Sequence, residues 1–257
     1  DAYHSPVSYT TNRLYSILGL FDDDVATRPD MEKMSDASES SFNQALLAFS
    51  WSGDMINELS GFGDMYGGAY RLIMGCNAVL DYLEDVVGTR EEKNDVKAQA
   101  LALRSFYYFH LVNLYGKPYS MDKSALGVPL KLTSRLSTDA MPRSTVEEVY
   151  KQIEDDLLEA ERLIKTLPEE TQCRKNKRVN LPFIQLLLSR VYLYMENWEK
   201  ALEYGETVAR DYDYAIRDLN AIDEPDRNNN PSYPNYYVWD NPEMIFMLGD
   251  LNDIISF

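Results

Sequence analysis

Few residues in this sequence have the types and spacing that catalysis requires. The chain of 257 residues has two histidines, His4 and His110, and contains no nucleophile elbow, glycine-rich phosphate loop or His/Asp/Ser set. Two carboxyl groups that hydrolyse a glycosidic bond must lie about 5–10 Å apart, and one needs a raised pKa. Because the chain has 42 acidic residues, no particular pair stands out. We therefore identify no candidate catalytic residue from the sequence.

Metal and cofactor sites are also not indicated. The run Asp22–Asp24 offers carboxylate oxygens of the kind that hard cations prefer, but it lacks the spacing of an EF-hand loop. An acidic turn beside a helix is the favoured interpretation of this run. Cys76 lies in an apolar helical stretch, which predicts a buried, inert thiol. Its distance along the chain from Cys173 neither requires nor excludes a disulfide. We expect no metal ion and no cofactor.

The charge of the chain limits its partners. The formal net charge is −17, and an acidic surface repels nucleic-acid phosphates and anionic lipid headgroups. We therefore expect no nucleic-acid partner. No apolar run reaches the roughly 18 residues of a membrane span, and no signal peptide opens the chain. The start "DAYHSP" is interpreted as a trimmed or mature N-terminus.

Residues 98–120 form an aromatic run that could be either a ligand-binding surface or the core face of a helix. Its apolar residues recur with helical spacing, which predicts one continuous packing face. Gly116 and Pro118 are expected to end this helix. His110 lies on the face and is interpreted as a packed histidine rather than a metal ligand. The face consists of Leu103, Phe106, Tyr107, His110, Leu111 and Leu114.

The remaining periodicity is also helical and predicts an all-α protein. Helices are expected over residues 65–87, loosened at Gly67 and Gly68, over 143–168, and over 181–197 and 198–212 with a break near Asn197. Ser144 and Glu147 have the spacing of a capping box. A short strand at 243–248 is the one exception considered. Long irregular segments are expected at 21–65, 117–143 and 220–242, and loops of such length are typically functional or disordered.

The last two predicted helices have the pattern of a tetratricopeptide pair. Ser189 and Ala201 are small residues that would let two antiparallel helices approach closely, and Tyr192 and Trp198 lie between them in the sequence to fill the space alongside. Such pairs stack to bury shared faces, which predicts a solenoid-like scaffold with long loops.

Five segments together resemble the SusD/RagB family, in order and spacing, over roughly residues 60–250. They are "AQALALRSFYYFHLVNLYGKPY", "GVPLKL", "PRSTVEEVYKQIEDDLLEAERLI", "LLLSRVYLYMENWEKALEYGETV" and "NPEMIF". The resemblance implies a SusD-like helical scaffold and a lipid-anchored protein on the extracellular face of the outer membrane of Bacteroidetes-type bacteria. Family members bind oligosaccharides or other nutrients, cap a SusC-like TonB-dependent transporter and perform no chemistry.

Two departures from the family affect the domain assignment. Family members are usually much longer, with a C-terminal region after the Asn-Pro-Glu segment, and they carry a lipidated N-terminal cysteine. We expect a truncated or trimmed member, in which residues 1–240 form the N-terminal helical and tetratricopeptide domain. Residues 241–257 would then begin a truncated C-terminal region, and the lipid anchor that tethers the protein to the membrane would be absent from this chain.

Candidate ligand-binding residues come from the irregular loops, because the family motifs supply only the scaffold. A glycan site needs flat aromatic rings for the sugar's C–H faces and oriented polar side chains for its hydroxyls. Trp51, in the polar stretch "FSWSGDMINE", is the first candidate, and its alternative role is that of a loop anchor docked on the helices. The weaker candidates are Arg28, Asp54, Asn57, Asp64 and Tyr66. A second cluster, Tyr233, Tyr236, Tyr237 and Trp239, is interpreted first as packing for the C-terminal region and second as a stacking surface.

The preferred function is capture of oligosaccharides, starch-like or other, and their delivery to a SusC-like transporter. The first alternative is a tetratricopeptide adaptor that binds peptides or proteins, and the second is an all-α glycoside hydrolase. Within the preferred function the ligand could also be a peptide or glycopeptide. The sequence does not identify the glycan.

Overall fold

A computed structural model describes residues 46–47, 49–53, 65–218 and 241–246. These residues form α-helices, one 3-10 helix and irregular segments, and no β-strand is found among them, which confirms the predicted all-α class. The chain divides into two compact units, with the boundary after Arg71, inside the first long helix. The domain boundary expected at residue 240 stays a prediction.

The helices that have defined limits follow one another between residues 65 and 211. The first continues through Gly67 and Gly68, and the second ends at Gly116 as predicted. A Cβ atom at Gly116 would lie 2.6 Å from the carbonyl oxygen of Val112, so only glycine fits there. The elements are α1 (Met65–Tyr82), a 3-10 helix (Leu83–Asp85), α2 (Arg90–Tyr115), α3 (Val146–Ile164), α4 (Glu169–Gln172), α5 (Leu181–Tyr194) and α6 (Trp198–Asp211).

Capping boxes fix the starts of α2 and α3. At α2 the Thr89 hydroxyl accepts from the Glu92 backbone N–H, and the Thr89 N–H donates to the Glu92 carboxylate. The capping box predicted for α3 at Ser144 and Glu147 is wrong by one residue, because Thr145 and Glu148 form it. The Ser144 backbone pairs with Gly127 and Val128, which keeps it extended and moves the helix start forward.

Helix α2 is the centre of the second unit and is buried on nearly all sides over residues 98–112. Its predicted role as a packing helix is confirmed, but the single apolar face is wrong. Residues 98–105 are all buried, as are Tyr108 and Val112 outside the predicted face, whereas Leu114 on that face is exposed. The reason is that α2 contacts α3 and α5, so that more than one face is covered.

A buried ion pair joins the first three long helices. The Arg104 guanidinium on α2 donates to both oxygens of Asp156 on α3, at 2.7 and 2.8 Å, and to the Asn77 side-chain oxygen on α1 at 2.9 Å. Gln152 donates to Asp156 as well. The Arg104 and Asp156 side chains are 7% and 6% exposed, so the pair is desolvated and depends on these hydrogen bonds.

His110 is a packed histidine, as predicted. Its ring lies edge-on to Phe106, with centroids 4.6 Å apart. Burial, and secondarily the positive charge of Arg190, lowers the pKa of His110 to about 4. The imidazole is therefore neutral at pH 7 and unsuited to bind a proton there.

Helices α5 and α6 form the antiparallel pair that the sequence indicated. The Ser189 hydroxyl donates to the Ala201 carbonyl at 2.7 Å, which confirms the predicted close approach. Gly205 contributes to it, because a Cβ atom there would lie 3.3 Å from the Ser189 oxygen. Tyr192 is buried, but the predicted packing role of Trp198 is wrong. Its side chain points outward and is 61% exposed.

The segment 241–246 docks beside the start of α5. The Asn180 side chain caps α5 by accepting from Phe183 N–H, and its amide donates to the Ile245 carbonyl at 2.8 Å. The ring of Phe246 lies 4.2 Å from that of Phe183. The short strand considered at 243–248 is not formed over its described residues, 243–246.

Both cysteines are free, so no disulfide joins them. Cys76 is buried, as predicted, and its burial raises the pKa of the thiol to about 12. None of the helices in the described part of the chain is both long and apolar enough to cross a membrane.

Substituting Arg104 by methionine tests the buried ion pair. Because the Asp156 carboxylate would stay buried without its cation, we expect the free energy of unfolding to fall by about 3–5 kcal/mol. Replacing both residues, as R104M with Asp156→Leu, removes both charges and should recover most of that loss. Urea unfolding followed by circular dichroism measures both values.

The exposed pair Lys117–Asp122, with a nitrogen–oxygen distance of 3.1 Å, supplies the control. We expect Lys117→Met to lower the free energy of unfolding far less than R104M does, because solvent screens this pair. A loss for R104M as small as that of the control would show that the buried pair does not hold the helices together.

His110 predicts a loss of stability in acid. Its folded pKa of about 4 is lower than the ordinary 6.5, so the unfolded chain binds more protons between these values. The contribution of His110 to the free energy of unfolding is fully present above its unfolded pKa. This contribution, up to about 3 kcal/mol, is lost as the pH falls toward the folded pKa. Urea unfolding at several pH values should show a smaller acid loss in His110→Gln. Equal pH slopes in the two proteins would contradict the assignment.

Candidate functional site

Trp51 lies at the end of a helical turn in the first unit. The Ser52 N–H donates to the Leu47 carbonyl at 3.0 Å, and the Ser50 N–H donates to the Leu46 carbonyl at 2.9 Å. The first bond spans five residues and, with a backbone φ of 52° at Trp51, forms the Schellman end of a helix. Trp51 thus occupies the left-handed position at which glycine is usual.

This conformation is costly for tryptophan and leaves its side chain exposed. A residue with a Cβ atom in the left-handed region loses about 1 kcal/mol or more. The side chain is 67% exposed. The residue pattern around Trp51 does not indicate the strain, because the nearby glycine is Gly53, two positions later. An exposed aromatic ring held at a strained position is the kind of feature that clusters at binding sites.

The other predicted ligand-binding residues fall partly outside the described part of the chain. Tyr66 lies in the first turn of α1, is half-buried, and has its ring centroid 4.8 Å from that of Tyr70. Trp51 and Tyr66 are therefore the two candidates whose surroundings the structure describes, and their role in binding stays a prediction. Outside the described residues lie Arg28, Asp54, Asn57 and Asp64, as do the acidic run 22–24 and the aromatic cluster 233–239.

The described carboxylates at the helix interfaces already have protein partners. Burial raises the pKa of Asp156, while Arg104 opposes the shift through two hydrogen bonds and occupies both carboxylate oxygens. Glu161 accepts from Gln185 at 3.0 Å and from Tyr204 at 3.0 Å. Among the residues that the structure describes, no three His, Cys, Asp or Glu side chains are grouped to hold a metal ion.

Known proteins share the sequence pattern and the helical architecture of this chain. Residues 14–193 match the SusD-like family described as starch-binding and associating with the outer membrane. A curated relative, the SusD-like protein P25 of Formosa agariphila, is 23% identical over 199 residues, which is 74% of this chain and 34% of the relative.

Two solved structures share the fold. A SusD-like carbohydrate-binding protein of Bacteroides vulgatus superposes with a TM-score of 0.60 at 29% identity, over 82% of this chain and 47% of that protein. A laminarin-binding SusD-like protein superposes with a TM-score of 0.50 at 26% identity, over 59% of this chain and 32% of that protein. This chain thus spans less than half the length of each relative.

The family match covers well over half of the chain, from the N-terminal region to the end of α5. The helices and junctions that it spans include the buried Arg104–Asp156 pair and the capped starts of α2 and α3. On this match and this architecture, the chain belongs to the SusD-like family.

Proposed function

We propose that this protein captures oligosaccharides at the cell surface and passes them, chemically unchanged, to a SusC-like TonB-dependent transporter. The proposal places it on the extracellular face of the outer membrane, held by a lipid anchor. Support comes from the family, described as starch-binding and associating with the outer membrane, and from one relative that binds carbohydrate and another that binds laminarin. The transfer to a transporter rests on the family resemblance.

The observation that carries the proposal is the exposed, strained Trp51. Its indole ring offers a flat apolar face, and the C–H face of a sugar ring can stack on such a surface without ordering many rotatable bonds. The chain has a formal charge of −17, which disfavours anionic polymers at long range. We therefore expect the ligand to be a neutral oligosaccharide.

A second candidate function is adaptor-like peptide binding at the α5–α6 pair. Trp198 and Leu202 are four residues apart on α6 and are both 61% exposed, so they present one apolar strip. Exposed Glu199, Glu203 and Glu206 flank it, which would favour a helical peptide with basic residues beside its apolar face. A fluorescently labelled amphipathic peptide of that composition tests this function by anisotropy.

Isothermal titration calorimetry against maltooligosaccharides, laminarin oligosaccharides and other neutral glycans tests the proposed function. We expect one glycan class to bind and Trp51→Ala to weaken it at least tenfold, because the stacking surface is lost. Assays for new reducing ends afterwards should show no cleavage.

Trp198→Ala is the matched control, since it removes another exposed tryptophan and should leave the affinity within about twofold. Equal losses in the two variants would exclude a specific role for Trp51. New reducing ends would contradict the proposal that the oligosaccharide is passed on chemically unchanged. A titration without binding heat for any of the glycans would overturn the proposal of carbohydrate binding.

The substitution Trp51→Gly tests the role of the indole ring in binding separately from the effect of this position on stability. Glycine adopts the left-handed conformation without strain, so we expect it to abolish binding while the free energy of unfolding stays equal or rises by about 1 kcal/mol relative to Trp51→Ala. Urea unfolding of both variants measures the difference. A glycine variant less stable than the alanine variant would show that Trp51 does not occupy the left-handed position in solution.

A further inference from the structure

The irregular loop of residues 131–139 forms a polar concavity in the second unit. Its volume is about 680 Å³, within the range of about 300–1,000 Å³ that is usual for small-ligand sites. The predicted ligand-binding residues do not include this loop. Besides Lys131, the concavity is lined by Thr133, Arg135, Leu136, Ser137, Thr138 and Asp139.

Buried side chains of two helices hold the start of this loop. The Tyr108 hydroxyl accepts from the Lys131 N–H at 2.7 Å and donates to the Lys131 carbonyl at 2.8 Å. The Asn77 amide donates to the same carbonyl at 2.8 Å, and its oxygen is bound by Arg104. Because Asn77 and Tyr108 are fully buried, the backbone at Lys131 is tied to the core of the unit.

A second attachment fixes the loop three residues later. One carboxylate oxygen of Asp81 on α1 accepts from both the N–H and the hydroxyl of Ser134, each at 2.7 Å. The Lys131 ammonium donates to the Arg135 carbonyl, which closes the turn between these residues. The backbone of residues 131–135 is therefore held in place, which lowers the entropy cost of binding at the start of the loop.

The chemistry of the outer side chains matches the hydroxyl groups of a neutral sugar. The Arg135 guanidinium offers a fork of hydrogen-bond donors, and the Asp139 carboxylate offers acceptors. The ion pairs of the described residues do not include one between these two side chains. Ser137 donates to Asp139 at 3.3 Å, so that hydroxyl and carboxylate lie side by side. Leu136 is 83% exposed and adds an apolar surface for C–H groups.

We propose that the 131–139 loop is a second contact region for a neutral oligosaccharide. The inference rests on the proposed function and adds residues that it does not use. A neutral ligand is favoured over an anionic one because Arg135 and Asp139 balance in charge, while the Asp81 carboxylate interacts electrostatically with the Lys131 ammonium and offsets its charge. Arg135 is the residue whose removal should weaken binding most, since it supplies several donors at once.

Nuclear magnetic resonance of the ¹⁵N-labelled protein tests the inference with maltohexaose and laminarihexaose as probes. We expect one of them to shift the backbone amides of residues 133–139, and Arg135→Ala to weaken the response at least fivefold. Arg210→Ala is the matched control, because it removes an exposed arginine of α6 and should leave the affinity unchanged within about twofold.

The outcomes separate this inference from the proposed function. Shifts at residues 50–53 without shifts at 133–139 would overturn the second contact region and leave oligosaccharide binding intact. Ligand-induced shifts at 133–139 that persist in Arg135→Ala would also overturn the second contact region, because they would not depend on the Arg135 side chain. Shifts at neither segment, with no heat in calorimetry, would overturn both. Shifts at 133–139 that are lost in Arg135→Ala would support it even if Trp51 proved unimportant.

Discussion

The buried ion pair between Arg104 and Asp156 is the interaction on which the second unit depends. Two charges removed from water are tolerated only when each is paired and hydrogen-bonded, so three helices must meet around them. The Asn77 side-chain oxygen accepts a third hydrogen bond from Arg104, and this places α1 beside α2 and α3. The same asparagine and Tyr108 then bind the backbone of Lys131. One polar cluster thus sets both the helix packing and the position of a loop.

This arrangement shows how an all-helical protein supports long irregular segments. A backbone that forms neither helix nor sheet needs other partners for its N–H and C=O groups. Here the partners are side chains anchored in the helices: Tyr108 for Lys131, Asp81 for Ser134 and Asn180 for Ile245. The loops are therefore positioned by the scaffold, and their outward side chains remain available for a ligand.

The sequence predicted the helices well because apolar spacing and end signals are local. The stop at Gly116 and the Ser189–Ala201 approach needed no knowledge of distant residues. The errors came from tertiary neighbours. Ser144 pairs with the strand-like segment at 127–128 and shifts the start of α3, and Trp198 points outward. The left-handed conformation of Trp51 depends on a helix end that periodicity does not locate.

The residues that identify the family and the residues proposed to bind the ligand are different ones. The five resembling segments supply Arg104, Tyr108 and the capping residues Thr145 and Glu148, which serve packing and helix starts. Trp51 and Arg135 lie outside those segments. A change at either position would leave the buried cluster intact. The scaffold can therefore be recognised from sequence while the proposed ligand cannot, because the proposed contact residues carry none of the constraints that keep the helices together.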